Sequence, residues 1–306
     1  MEHSAIIERI LREIRNVDIL EQLSRISGSD LSTLLLEVYA RVTSRQKPAD
    51  LLKAYALNDF VKPSPLPAIE LLKHEIALLS LAELSGIFPV VLSPAAQLGS
   101  CSSVASVSQN KVFPAVRGTE ILADPTNMLA LEVCRQIKYD KLSNKEPIHN
   151  CAAGRVLRAQ RYKAKNLVQH FNIFGMVSSG RDSGSYAFER TALIKQISFY
   201  KDFFQAIFNA NISVVLYPCE GYTDPKGLAE RMKTALPHVS AEVGLLRANS
   251  YYIGLQFNIY IHKNGETINI GDGGFVDWSQ KLLQNQKQRM LISAIGIDRL
   301  VSGFSS

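Results

Sequence analysis

Apolar residues recur at helical spacing through the first sixty positions of the chain. Ile6, Ile7, Ile10, Leu11 and Ile14 predict one helix. Leu31, Leu34, Leu35, Val38 and Val42, behind Asp30 as a cap, predict a second, and a third short helix is expected over 48–57 with Pro48 in its first turn. Pro63, Pro65 and Pro67 then force the chain to run extended. A boundary is placed there, giving a helical N-terminal extension over 1–62 and a core over 63–306.

Within the core, Ile69, Leu72, Ile76, Leu79 and Leu84 predict a helix over 66–84 that Gly86 closes, and a strand over 88–94 follows. Residues 99–108 read as a loop. A short apolar segment at 112–116 turns through Arg117, Gly118 and Thr119 into 120–123, and Asp124-Pro125-Thr126-Asn127 opens a helix over 128–137. A strand over 154–160 ends with Arg158 and Gln160 on one face, two residues apart. After it come a basic loop (Arg161, Lys163, Lys165), a strand over 168–177 and a turn over 178–182. A long helix over 186–209, a β-branched strand over 212–217, and a loop with helix over 221–236 come next. Strands over 251–261 and 267–270 flank a turn at 262–265. The chain then makes a glycine turn in which Gly271, Gly273 and Gly274 surround Asp272, a composition suited to close backbone approach or positive φ. A helix over 278–289 and a buried strand over 290–297 end just before Arg299. Successive strands joined by hairpins give an α+β fold, a mostly antiparallel sheet flanked by helices.

Composition narrows the class. Hydrophobic residues make up 46% and charged residues 20% of the 306, as in an ordinary soluble globular protein. The most apolar stretch, 71–92, is interrupted by Lys73, His74, Glu75 and Glu83, so no membrane span is expected. The N-terminus lacks the uninterrupted apolar core of a secretory signal, and a cytoplasmic location is expected. Cys101, Cys134, Cys151 and Cys219 form no CxxC pair and have no histidine at ligand spacing; they read as structural thiols, and no metal site is predicted. A net charge of +6 suits an anionic partner such as a nucleotide, nucleic acid or a carrier's phosphate arm, although the basic residues are spread along the chain. Tyr251 and Tyr252 are expected on opposite faces of one strand, so that one of them at most lines a pocket while the other packs elsewhere. His170 and His238 show no partners and read as ordinary core or surface residues, while Glu220, Asp224 and Asp272 stand unranked as metal or amino-group contacts.

From 66 to 303 these segments together resemble the catalytic core of class II aminoacyl-tRNA synthetases, most closely histidyl-tRNA synthetase and its shortened paralogue, the regulatory subunit of ATP phosphoribosyltransferase. The 66–94 segment looks like the first motif, a helix and strand ending in proline. Arg158-Ala159-Gln160 followed by Phe171 to Gly175 looks like the second, and Arg247-Ala248-Asn249-Ser250-Tyr251-Tyr252 like the arginine-glycine-leucine-aspartate-tyrosine-tyrosine segment. Gly273-Gly274-Phe275-Val276-Asp277 and Ala294-Ile295-Gly296-Ile297-Asp298-Arg299-Leu300 resemble the glycine turn and the third motif.

The resemblance implies that Arg158 binds the α-phosphate of ATP with Gln160 and Phe171 beside it. It implies that Arg299, with Gly296 and Asp298 near it, holds the far phosphates and lies against adenine, and that Arg247 stabilises charge as a carboxylate attacks the α-phosphate. Mg²⁺ is expected to accompany ATP. Asp124, Thr126, Ile173, Val177, Tyr251, Tyr252, Gly273, Gly274 and Val276 would form the substrate pocket, and 66–94 a homodimer interface. The departures matter as much. Gln160 stands where the second motif has an acid, Thr126 replaces the acid that grips the substrate amino group (Asp124 is a stand-in), and Ile173, Val177 and Val276 replace polar readers of imidazole. These changes imply a more apolar pocket and make histidine a poor substrate, since each unpaired buried group costs about 1–3 kcal/mol.

The chain ends shortly after the third motif, so an anticodon-binding domain is not expected and charging of tRNA through its anticodon is disfavoured; the basic loop could still meet an acceptor stem or a carrier protein. Two functions follow. One is ATP-dependent activation of an amino acid or small carboxylic acid as its adenylate, with transfer to a carrier, amine or RNA end. The other is a non-catalytic paralogue that regulates or scaffolds a partner enzyme.

Overall fold

The computed structural model describes residues 2–143, 145–160, 169–248, 250–263 and 265–304. The extension folds as four helices, α1 (Glu2–Ile14), α2 (Ile19–Arg25), α3 (Gly28–Thr43) and α4 (Pro48–Leu57). The short α2 was not anticipated. The cap of α3 is Ser27, whose hydroxyl accepts the Asp30 amide, so the helix starts before the expected Asp30 cap. No residue from 5 to 70 is buried. Ion pairs one helical turn apart, such as Arg25–Glu21 and Arg41–Glu37, add about 0.3–0.5 kcal/mol each. The extension meets the core where Ser32 Oγ accepts the Arg117 amide and where Phe60 packs edge-on to Phe113.

The core opens with α5 (Ala68–Leu84), which ends at Gly86 with φ +68°. Strand β1 keeps just Phe88–Pro89 of the expected 88–94, since prolines at 89 and 94 remove the amides a longer ladder needs. Strands β2 (Ala95–Gln97) and β3 (Thr119–Ile121) form a separate two-stranded sheet. The connection between them holds a π turn at Ser100–Val104 and a 3-10 turn at Gln109–Lys111 where a plain loop was expected.

Helix α6 (Pro125–Lys138) leads to β4 (Ile148–Leu157), β5 (His170–Arg181), α7 (Ala187–Phe208), β6 (Asn211–Pro218), α8 (Pro225–Thr234) and β7 (Ser240–Val243). Then follow β8 (Leu255–Lys263), β9 (Glu266–Val276), α9 (Trp278–Leu283), β10 (Gln288–Gly296) and α10 (Ile297–Phe304). The main sheet has eight strands in the order β1-β4-β5-β10-β9-β8-β6-β7. Its outer pairs β1–β4 and β6–β7 are parallel and the inner pairs antiparallel, the mostly antiparallel α+β sheet expected.

Several boundaries differ from the sequence reading. Strand β4 ends at Leu157, so Arg158 and Gln160 lie beyond the strand expected over 154–160, and β8 begins at Leu255 instead of 251. Three more differences have a clear physical reason. Residues 178–181 continue β5 instead of turning, because Ser178 and Ser179 are buried between two paired strands and their hydroxyls are satisfied by Gln196 and the Arg289 carbonyl. The glycines at 271–274 lie inside β9, where a side chain on Gly271 would overlap the Ala294 carbonyl of the neighbouring strand and one on Gly273 the Phe257 ring. Close approach, not a turn, is their function. Helix α9 stops at Leu283, before Gln284 in the left-handed region, so that 288–289 can join β10; Arg299 belongs to α10.

Helices α5, α7, α8 and α10 pack on one face of the sheet around Phe174, Phe199, Tyr200, Phe203, Phe204 and Phe257. Each fully buried ring of this kind contributes about 1.5–3 kcal/mol. Helices α6 and α9 cover part of the other face and leave a cleft beside the N-terminus of α6. At the edge of the core, Ile69, Leu72, Ile76, Leu84, Phe88 and Val91 are exposed. Among the described residues no helix is long and apolar enough to cross a membrane.

Candidate functional site

The cleft has two halves. One is a cavity of about 270 Å³ whose wall includes Arg158, Phe171, Ile173, Gly296, Asp298 and Arg299. The other, about 410 Å³, includes Lys111, Thr126, Asn127, Gln160, Tyr251, Tyr252 and Gln256. Asp124, Arg158, Asp272 and Ala294 line both and form the junction.

Arg158 follows the last residue of β4 and is fixed on two sides. Its Nε donates to the Ala123 carbonyl at 3.0 Å and its Nη2 to Asp124 Oδ2 at 3.3 Å, while the guanidinium lies 5.3 Å from the centre of the Phe171 ring. Asp124 caps α6, its Oδ1 accepting the amide and hydroxyl of Thr126 at 2.9 and 2.7 Å. One carboxylate therefore orients both the helix entry and the junction arginine.

Asp272, left unranked by sequence, lies between the glycines of β9 at this junction; Glu220 and Asp224 line neither cavity, and Asp224 instead caps α8 through the Gly227 amide. The Asp272 carboxylate is wetted by the open cleft yet stands deep among protein atoms. That burial, followed by the nearby Asp124 charge, holds its pKa above the usual carboxylate range. Asp298 is likewise raised by burial, and it is held by the Asn172 amide at 2.8 Å and by Arg155 at 3.5 Å. Arg299 reaches the Asn269 carbonyl at 3.3 Å.

Tyr251 and Tyr252 both line the second cavity, contrary to the expectation that one at most would. They precede β8, which begins at Leu255 after Gly254 with φ +71°, so strand alternation does not separate them. Their rings meet edge to face at 4.8 Å. Burial raises both phenols well above their ordinary pKa. Cys101, on the same wall, is raised to about 11 by burial and by Asp124 and Glu120, and accepts a hydrogen bond from Asn127. All four cysteines are buried and free.

Three expected pocket residues stand elsewhere. Val177 and Val276 are buried in the apolar cluster behind the cleft, and Ile173 lines the first cavity. The substituted positions therefore do not make the second cavity apolar; Asp124, Thr126, Asn127, Gln160, Gln256 and Asp272 give it a polar wall. Gly273 and Gly274 are buried in β9, pressed by Phe257 and Tyr252. Arg247 stands off both walls, its guanidinium stacked 3.2 Å from the centre of the Tyr217 ring, although its charge still reaches Asp272. His170 is not without partners: Arg155 Nε donates to its Nδ1 at 2.6 Å, and its Nε2 meets the Lys62 carbonyl. His238 pairs with Ser198 Oγ. Among the described residues no group of three His, Cys, Asp or Glu side chains is gathered to hold a metal ion. The basic loop (Arg161, Lys163, Lys165), Val168 and Asn249 lie outside the described residues.

Sequence reasoning missed Lys111, Asn127 and Gln256. It also missed Ser64, Pro65 and Leu66, which wall the first cavity from the segment joining extension to core. The proline triplet at 63–67 was the signal for the last three, since an extended run can lie along a cleft. Lys111, in an irregular segment, carried no periodic signal.

No family profile and no curated protein sequence matches the chain. Solved structures do. An ATP phosphoribosyltransferase regulatory subunit/histidyl-tRNA synthetase from Bacillus halodurans is similar at 14% identity, over 86% of this chain and 84% of that one, with a TM-score of 0.59. Histidyl-tRNA synthetase of S. aureus is similar at 14% identity over 80% and 70%, TM-score 0.60. A threonyl-tRNA synthetase structure from Cryptosporidium parvum is similar at 14% identity over 81% and 68%, TM-score 0.63. The fold is that of class II aminoacyl-tRNA synthetases, the expectation drawn from the motifs.

Proposed function

We propose that the chain is an ATP-dependent ligase that activates an amino acid or small carboxylic acid as its adenylate. The observation that carries this reading is the junction: Arg158, pinned by Asp124 and stacked near Phe171, stands between a cavity suited to a nucleotide and a second, polar one suited to an acid. Phe171 offers a face for adenine. Arg299 offers charge to the outer phosphates and Arg158 to the α-phosphate. A carboxylate oxygen attacks the α-phosphorus, the bond from phosphorus to the bridging oxygen breaks, and pyrophosphate leaves with that electron pair. No proton needs to move, so positioning and charge supply the acceleration. Mg²⁺ would accompany ATP, held chiefly through the phosphates. The adenylate would then pass to a carrier, an amine or an RNA end in the cytoplasm, and the exposed apolar edge from Ile69 to Val91 fits a homodimer interface.

ATP–pyrophosphate exchange screened over amino acids and small acids tests this reading. Exchange with one acid, lost in Arg158→Ala protein that remains folded, is the expected result. Silence across the screen together with no binding of ATP refutes it.

Gln160 in place of an acid, and an extension with no buried residue from position 5 onward, favour a second reading, a non-catalytic paralogue that regulates a partner enzyme. A stoichiometric enzyme partner in native extract, with no exchange, would select it.

A further inference from the structure

The resemblance assigned the charge that meets the substrate carboxylate to Arg247, yet that residue is stacked on Tyr217 and lines neither cavity. The second cavity still needs a cation. Its charged wall consists of Lys111, Arg158, Asp124 and Asp272. Arg158, held by Asp124 and the Ala123 carbonyl, is in that reading assigned to the α-phosphate. Lys111 makes no ion pair with any described residue, although it is close to the junction. Its carbonyl accepts the Ala159 amide at 3.0 Å, which ties the 3-10 turn at Gln109–Lys111 to the segment carrying Arg158 and Gln160. The turn is also anchored from below, because Gln109 Nε2 donates to the buried Glu120 carboxylate at 2.8 Å. Lys111 is exposed, lines the cavity from a turn held at both ends, and has no anion to leave among the described residues.

We infer that Lys111 is the carboxylate-binding cation of the acid half of the cleft. Its ammonium meets the substrate carboxylate and faces the reacting oxygen as that oxygen bonds to the α-phosphorus. It keeps its proton throughout. The inference rests on the reading that this half of the cleft takes the acid, and on no particular acid.

The test compares Lys111→Gln and Lys111→Arg with the wild type and with Lys226→Gln, a change of an exposed lysine on α8 outside both cavities. In exchange with the activating acid, Lys111→Gln is expected to raise the KM for the acid at least about tenfold and to lower kcat/KM by about 10²–10³, the range seen when one charge-stabilising donor is removed. The KM for ATP should stay within about twofold, Lys111→Arg should recover part of the loss, and Lys226→Gln should match the wild type. Exchange by Lys111→Gln within about threefold of wild type overturns the inference. So does a parallel loss of ATP affinity, or loss of exchange in Arg247→Gln while Lys111→Gln retains it. If the wild type exchanges with no acid, the ligase reading fails, and Lys111 is judged by binding alone, from thermal stabilisation by each amino acid and small acid of the screen. Stabilisation that disappears in Lys111→Gln supports the carboxylate anchor without catalysis; stabilisation that persists, or none by any acid, overturns it.

Discussion

Ser293 links the floor of the cleft to a buried polar network, and its removal has a cost that can be worked from the geometry. Its hydroxyl donates to Gln196 Oε1 at 2.7 Å, so the Tyr200 hydroxyl, 2.9 Å away, must be donating to it. Gln196 then donates to Ser178 Oγ at 2.9 Å and to the Leu291 carbonyl. Tyr200, Gln196 and Ser293 are 0%, 1% and 1% exposed, so water does not replace a lost partner. Ser293→Ala leaves two buried groups unpaired, the Tyr200 O–H and Gln196 Oε1. At about 1–3 kcal/mol each the loss is about 2–6 kcal/mol, a large part of the roughly 5–15 kcal/mol that holds a domain folded. Urea unfolding with a slope of about 3 kcal/mol per M would show the midpoint falling by roughly 0.7–2 M. The double variant Tyr200→Phe/Ser293→Ala has only Gln196 Oε1 to strand, so it should lose about 1–3 kcal/mol less than the sum of the single changes. A loss below roughly 0.5 kcal/mol in Ser293→Ala, or an additive double variant, would refute the network as drawn.

Arg158→Ala should lower kcat/KM for exchange by about 10² or more while barely moving Tm, because its ion pair with Asp124 is partly exposed and worth about 1 kcal/mol at most; circular dichroism and exchange on one preparation check both. Phe171→Leu should weaken ATP binding about 3–10-fold in calorimetry through loss of the aromatic face. Gly273→Ala should destabilise by about 1–3 kcal/mol or more in urea, since the new methyl meets the Ile292 carbonyl, a backbone atom that cannot move aside. Burial, and then the Lys195 charge, lower the pKa of His149 from 6.5 to about 4. Between those values the unfolded chain binds the proton and the folded one does not, so stability is full above pH 6.5 and falls as the pH drops toward 4, by about 3 kcal/mol in all. His149→Gln should flatten that limb of the stability–pH profile, and an unchanged limb would assign it to other groups.

What the sequence revealed depended on whether a regular element carried the signal. The apolar repeat of α5, the proline at the start of α4 and the glycine after α5 each act within one turn, and each was readable. Arg158, Phe171 and Arg299, named from the sequence, sit at or just beyond strand ends, where register is local, and all three line the first cavity. Long-range partners decided the rest. Ser178-Ser179-Gly180 has the composition of a turn, and becomes strand because Gln196, on a helix packed against the sheet, satisfies a hydroxyl there. The Tyr251–Tyr252 pair was misread because its geometry follows from Gly254, two residues beyond, and not from strand alternation.

The two halves of the cleft also differ in what builds them. The first cavity is made largely from β5, β9 and β10, where a change of register would move every side chain to the wrong face. Much of the second cavity is made from the irregular connection between β2 and β3, which holds Cys101, Val107 and Lys111. What fixes that connection is one buried residue. Glu120, fully buried, accepts from the Gly99 and Cys101 amides, Ser100 Oγ and Gln109 Nε2. Burial alone would lift its pKa, and those four hydrogen bonds outweigh it and hold the carboxylate below its ordinary range. Because its partners include backbone amides as well as side chains, residues facing the cavity can change while the connection keeps its path. Side chains such as Lys111 and Cys101 can therefore change without disturbing the sheet that holds Arg158 and Phe171 in place, so the ligand preference of the second cavity can diverge while the first keeps its frame.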